Sequence, residues 1–230
     1  MYYISFSRNQ ETEKHFSQAG FRDINHFPAV NGNKFNPKQL WEDGLITFRT
    51  YRDLKTTRRS HWGIPSLGAI GCTMSHCALW QMCIDKNLPF LVIVEEDSRL
   101  TTDLHDLGVN KFIRDVLRRG NIFVAEDIDK NNGLVEFMGL RFYIVPNSTC
   151  KSLIKYCFPV DVQTDWYIAH LASLGKVNVE GKKVSSFTSH PSSIQDTCVI
   201  CHFPSGMRFY VIAIFLLFCV VVYIMTRYWK

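Results

Sequence analysis

Gly68-Ala69-Ile70-Gly71-Cys72-Thr73-Met74-Ser75-His76-Cys77-Ala78-Leu79-Trp80, followed by Asn87-Leu88-Pro89 and then Phe90-Leu91-Val92-Ile93-Val94-Glu95-Glu96-Asp97, is the stretch that decides the fold. Its first part holds no proline and reads as a helix over residues 67–87. Pro89 stops that pattern, and the five apolar residues after it are too few for a second helix. They lack the apolar/polar alternation of a half-exposed strand, so they read as a strand covered on both faces, the habit of a parallel sheet flanked by helices. In such α/β domains the ligand crevice lies at the carboxyl ends of the strands. Glu95, Glu96 and Asp97 therefore emerge where a ligand is expected.

The flanking sequence repeats the strand and helix alternation. Residues 2–6 read as a strand and residues 10–19 as a helix that Gly20 stops. Residues 27–30 lead into the turn pair Asn31-Gly32. Residues 33–65 mix basic, aromatic, proline and glycine residues, Arg58-Arg59 among them, and read as a long loop or irregular insertion. A helix is expected over 103–118, a strand over 121–125, and two short strands turning near Gly139 over 134–145. Asn147 or Ser148 can cap a helix to about Cys157, and Thr164 opens another that ends at Gly175. The fold class is α/β with a mainly parallel sheet.

The chain has 230 residues, 47% hydrophobic and 20% charged, which suits one globular domain with an appendage and excludes a disordered polyelectrolyte. Its 26 basic and 21 acidic residues leave a net charge of +5, spread along the chain, so no nucleic-acid partner is expected. The 8 cysteines lack the spacing of a secreted disulfide framework and read as reduced thiols.

Residues 209–225 are apolar or aromatic without interruption, with Arg208 before them and Arg227 and Lys230 after. A helix over 209–226 covers about 27 Å, close to the hydrocarbon thickness of a bilayer. The expected organisation is a domain over 1–200, a linker over 201–208, a transmembrane helix over 209–226 and a tail over 227–230. With no signal segment legible at the start, the expectation is a C-terminal single-pass anchor with the domain in the cytosol, against which Arg227 and Lys230 count under the positive-inside rule.

Three crowded carboxylates repel one another unless a cation offsets them, and oxygen ligands suit Mg²⁺ or Mn²⁺. A solvated acidic turn explains the same residues, and paired acids would also serve a glycosidase if their separation suited a sugar. Cys72, His76 and Cys83 recur on one helical face, as core residues or as part of a zinc site. Cys198-Val199-Ile200-Cys201-His202 fits the haem-attachment string, a pair of palmitoylated thiols beside a membrane span, or a plain linker.

The run from Gly68 to Trp80 with Asn87-Leu88-Pro89 and Glu95-Glu96-Asp97 resembles the core of glycosyltransferase family 25, whose pattern is GEIGC, two residues, SH, a short helix to LW, NLP and a strand closing on EDD. Ser7-Arg8, Ala29-Val30-Asn31-Gly32, the segment 141–145 and the run from Pro159 through Asp161 to Asp165 are similar to further parts of the family pattern. The resemblance runs to about residue 200. It implies a GT-A-like, Rossmann-type nucleotide-sugar-binding domain, a divalent metal, a UDP-sugar or related donor, and transfer with inversion to a hydroxyl of a glycan, a lipid-linked acceptor or a protein.

Carried over residue by residue, Glu95 and Asp97 match the metal-holding acids, Glu96, expected among the catalytic residues, stands where the family has Asp, and Asn31 stands where it has the acid of AVDG. Ser7, Arg8, Val30, Asn31 and Gly32 match the donor-binding segments. Asp165 matches a family acid and is the expected base, with Asp161 second; a helix-capping role is the other reading of Asp165. His76 is expected either in the chemistry or packed in support of it, and His190 as a late phosphate or metal contact. The departures at 96 and 31 leave a second function open, that of an inactive transferase-like protein serving as a membrane-tethered interaction module.

Overall fold

The computed structural model describes residues 1–55, 63–101 and 106–187. In chain order the elements are β1 (Tyr2–Ser5), α1 (Gln10–Gln18), β2 (Asn25–Pro28), a 3-10 turn (Gly32–Lys34), α2 (Pro37–Glu42), α3 (Phe48–Lys55), α4 (Leu67–Asp85), β3 (Phe90–Glu95) and β4 (Ser98–Leu100). There follow α5 (Leu107–Arg118), β5 (Ile122–Val124), β6 (Asp129–Asn131), β7 (Leu134–Glu136), β8 (Phe142–Pro146), α6 (Asn147–Tyr156), α7 (Thr164–Ser173), β9 (Val179–Gly181) and β10 (Ser185–Phe187).

Six strands form the main sheet in the order β2-β1-β3-β8-β5-β9. β1 runs parallel to β2 and β3, and β5 runs parallel to β9, but β8 is antiparallel to both of its neighbours. The expectation of a mainly parallel sheet is corrected at that strand. Parallel neighbours need a crossover, usually helical, whereas the chain between β5 and β8 makes only the β6–β7 hairpin, so it re-enters the sheet from the end at which it left. The two short strands expected over 134–145 exist but do not pair with each other: β7 belongs to the small hairpin and β8 to the main sheet.

β3 shows why its sequence is apolar throughout. Leu91 and Ile93 enter the core cluster that holds Trp80, Cys83, Tyr143, Leu153 and Ile168, while Val92 and Val94 enter the opposite cluster with Phe16, Val116, Phe123 and Phe142. Helices α4, α6 and α7 supply the first cluster, and α1 and α5 the second. α4 is capped by Ser66, whose Oγ accepts the Ala69 N–H at 3.2 Å. Its far side, Ala69 and Ile70, packs against Leu40, Ile46 and Ile64 of the segment after the 3-10 turn, so α4 is enclosed on both sides. That enclosure explains why it is apolar all round. Among the described residues it is the one helix long and apolar enough to cross a membrane, and 56% of its apolar window is buried inside the domain.

Two further expectations change. The irregular insertion expected over 33–65 contains α2 and α3; Asn36 caps α2, with Pro37 in its first turn. The cap expected of Asn147 or Ser148 is not made: Pro146 occupies the cap position without a side-chain bond, and Asn147 Nδ2 instead donates to the Cys83 carbonyl at 2.8 Å, tying α6 to the end of α4. The segment 209–226, the CxxCH string and His190 lie outside the described residues.

Candidate active site

At the carboxyl ends of β1 and β3 lies a cavity of ≈ 570 Å³, within the range of small-molecule sites. Its walls come from the loop after β2, the first half of α4, the end of β3, the turn at Gly139 and the start of α7.

Two glycines bring the first two walls together. A Cβ on Gly71 would stand 2.3 Å from the Val30 carbonyl oxygen and 2.6 Å from the Gly32 nitrogen, and one on Gly32 would stand 1.7 Å from the Leu67 carbonyl oxygen. Only hydrogen fits at either position, so backbone meets backbone. Ser75 fastens the joint, accepting the Val30 N–H at 2.9 Å and donating to the Gly71 carbonyl at 2.8 Å. Val30, Asn31 and Gly32 line the cavity in consequence. Asn31 Oδ1 accepts the Asn33 N–H at 3.1 Å, a turn-forming bond that aspartate would make equally well, so the departure at this position removes a charge without removing the turn.

Glu95, Glu96 and Asp97 all line the cavity, with Glu96 exposed and the other two partly covered. Burial, and next the neighbouring Glu95, push the Asp97 carboxyl above its ordinary value, with Arg141 opposing. Asp165 reaches the same cavity from α7. Its Oδ2 accepts the Gly139 N–H at 2.9 Å and its Oδ1 the Trp166 N–H at 2.8 Å. Burial raises its pKa, the two N–H groups oppose, and Glu95 adds to the rise.

His76 is fully buried behind Glu95. Its Nδ1 lies 2.8 Å from Tyr143 Oη, which also accepts the Trp80 indole N–H at 2.9 Å. The other nitrogen, Nε2, has no hydrogen-bond partner among the described residues and stands 3.5 Å from Glu95 Oε1. Cys72 Sγ lies 4.0 Å from the same carboxylate oxygen. Burial, followed by the charges of Glu95, Asp165 and Asp97, holds the Cys72 thiol well above the ordinary thiol range. Cys83 is buried in the core, in keeping with the core reading, with its thiol 3.7 Å from the Leu88 carbonyl.

Sequence-predicted residues thus converge from β3, α4, α7 and the loop after β2. Ser7 and Arg8 are not among the lining residues. Both are exposed: the Ser7 carbonyl accepts from Ser5 Oγ at 2.6 Å, and Arg8 grips Glu13 at 2.8 and 3.1 Å. Asp161 also lies apart, held by Arg49 and by Thr47. Cys72, read as a core residue or part of a zinc site, lines the cavity, and so do Arg99 and Arg141, which had no expected role. Arg141 donates to Glu126 at 2.6 Å. Its signal was available, an arginine heading the otherwise apolar strand β8.

A family model described as glycosyltransferase family 25 (LPS biosynthesis protein) matches residues 1–168. A glycosyltransferase 25 family member of Drosophila melanogaster is 33% identical over 92 residues, 40% of this chain and 14% of the relative. One of Anopheles gambiae is 30% identical over 103 residues, 43% of this chain and 16% of the relative. Procollagen galactosyltransferase 1-B of Xenopus laevis is 29% identical over 107 residues, 43% of this chain and 16% of the relative. In each case the match spans less than a fifth of the relative's length.

Proposed function

The chain belongs to glycosyltransferase family 25, and from that membership we propose that it transfers a sugar, galactose being the first to test, from a UDP-sugar to an acceptor hydroxyl with inversion, on a GT-A-like domain. The observation that carries this reading is the convergence of Glu95, Asp97 and Asp165 from two elements on one cavity.

The acids fit a divalent metal. Asp97 and Asp165 both have raised pKa values, each in part because of Glu95, so the cavity favours added positive charge. Glu95 and Asp97 offer the hard oxygen donors that Mn²⁺ or Mg²⁺ prefers. Bound there, such a cation would offset the charge that develops on the diphosphate leaving group.

The remaining steps belong to the chain's own residues. Asp165 accepts the acceptor hydroxyl's proton, and its raised pKa makes it a better base than an ordinary surface carboxylate while the two N–H bonds fix its oxygens. Val30, Asn31 and Gly32 form the wall against which the donor lies. His76, enclosed between Tyr143 and Glu95, supports the acid rather than touching substrate. Residues 209–226 tether the domain to a membrane, a reading that rests on their uninterrupted apolar character.

The second reading, an inactive homologue, is favoured by Glu96, whose extra methylene stands in place of the family's middle aspartate. The deciding experiment is UDP-sugar hydrolysis and transfer by the purified chain over common donors, with and without Mn²⁺. Turnover with no donor, together with retained donor binding, would select the second reading.

A further inference from the structure

Cys72 and His76 stand four residues apart on α4 and so share one face of the helix, with Glu95 closing β3 opposite them. Cys72 Sγ, a ring nitrogen of His76 and a carboxylate oxygen of Glu95 all lie within 4.8 Å of one another, with Nε2 the His76 nitrogen facing Glu95 Oε1. We propose that these three atoms form a site for a borderline-soft divalent cation, zinc above all, with chemistry distinct from the oxygen-only pair Glu95 and Asp97.

The spacing supports this. With metal bonds of about 2.3 Å to sulfur and about 2.0–2.2 Å to nitrogen and oxygen, tetrahedral ligands stand roughly 3.3–3.6 Å apart. The nitrogen-to-oxygen separation is already 3.5 Å, and the sulfur-to-oxygen separation is 4.0 Å. A histidine buried for packing alone usually has both ring nitrogens satisfied, yet Nε2 of the fully buried His76 has no hydrogen-bond partner among the described residues and faces Glu95 at 3.5 Å. Behind the ring the arrangement is the one that metal-bound histidines use, with Nδ1 set 2.8 Å from an oxygen that can take its hydrogen. Three protein ligands leave one tetrahedral position for water, as in open zinc sites.

Binding exchanges the Cys72 thiol proton for the metal and releases it to solvent. The imidazole carries its single proton on Nδ1, where Tyr143 Oη accepts it beside the Trp80 N–H. The phenol's own donor bond is then lost, a small cost beside three metal bonds. Sulfur and imidazole ligands select zinc or cobalt over Mn²⁺ and Mg²⁺. The site stands whether or not the chain transfers sugar, and because Glu95 is common to both sets, zinc held here withdraws that carboxylate from the oxygen-ligand metal.

Co²⁺ is the probe, added to the full chain in detergent with Cys198→Ser and Cys201→Ser, so that the CxxCH thiols cannot contribute. One equivalent should produce a near-ultraviolet thiolate-to-cobalt charge-transfer band and the intense visible bands of tetrahedral coordination. Zn²⁺ should bleach both, and excess Mn²⁺ should not. Cys72→Ser should abolish the charge-transfer band with an unchanged circular dichroism spectrum. Tyr143→Phe, which keeps the ring but removes the oxygen behind His76, should weaken Co²⁺ binding by about 10- to 100-fold. Glu95→Gln should weaken it while keeping the thiolate band. Absence of the band, its survival in Cys72→Ser, its displacement by Mn²⁺, or wild-type affinity in both Tyr143→Phe and Glu95→Gln would each overturn the site. None of these readouts uses a sugar donor, so they are independent of the transferase reading.

Discussion

Gly71→Ala tests how the cavity is built without touching any of its acids. The added Cβ would meet the Val30 carbonyl oxygen at 2.3 Å and the Gly32 nitrogen at 2.6 Å, where ordinary contact begins at 3.4 Å, so helix and loop must part by about 1 Å. Both obstructing atoms are backbone, and no side chain can swing away to relieve them. Overpacking costs about 1–3 kcal/mol, and the upper end applies because parting the walls also strains the bond from the Val30 N–H to Ser75 Oγ. For a chain of this size 3 kcal/mol lowers Tm by about 6–12 °C. The displaced turn carries Cys72 and precedes His76, and a misplacement near 1 Å can cost about 10²-fold in turnover. Differential scanning fluorimetry and titration with a UDP-sugar measure the two effects. Gly32→Ala meets the same joint from the other side, so the double variant should lose less than the sum of the singles. A Gly71→Ala protein with unchanged Tm and unchanged donor affinity would refute the close-approach argument.

Asp97→Asn should abolish Mn²⁺-dependent donor binding in calorimetry while Tm is maintained or rises. The sign follows from linkage: a carboxyl whose pKa is raised in the folded state contributes a stability that is present below its ordinary 3.8 and lost as pH climbs through the folded value. The variant's Tm advantage should therefore widen from acid toward neutral pH, and a gap that narrows would contradict the buried, crowded carboxylate. Asp165→Asn should cut transfer by about 10²- to 10⁴-fold with little change in donor affinity. Equal losses in both would mark it as a structural acceptor for Gly139 and Trp166. Glu96→Asp restores the family residue and should leave activity intact or raise it; a large loss in the transfer assay would show that the acids are misassigned. The full chain should resist carbonate extraction from membranes and a chain ending at residue 205 should not, while protease added to sealed vesicles reports which side the domain occupies.

What could be read from the sequence was whatever local pattern dictates. Leu91 to Val94 announced a strand covered on both faces, and each of those residues is buried there. The acids at 95–97 were placed at the cavity by that reading alone. Asp165 needed the resemblance, because an acid in a helix's first turn is equally expected for dipole reasons. The reversed direction of β8 could not be read, since Phe142 to Val145 looks the same whichever way it runs and only the missing helix before it carries the signal. Arg8 was named by the resemblance alone, and sequence could not show that its side chain reaches Glu13. Nor could spacing separate Cys72 from Cys83: both lie on α4, but one faces the end of β3 and the other the core.

The antiparallel strand also governs how the chain can be made. β3 pairs with β1 on one edge and with β8 on the other, and β8 arrives some fifty residues after β3. Until Pro146 has emerged from the ribosome, Leu91 to Val94 form a strand with one edge open and no polar residue to guard it, the composition that recruits other chains. β5 cannot relieve this, because it reaches the sheet only through β8. The shortest fragment that protects its own central strand therefore runs past residue 146, and synthesis paused before that point exposes an aggregation-prone nascent chain.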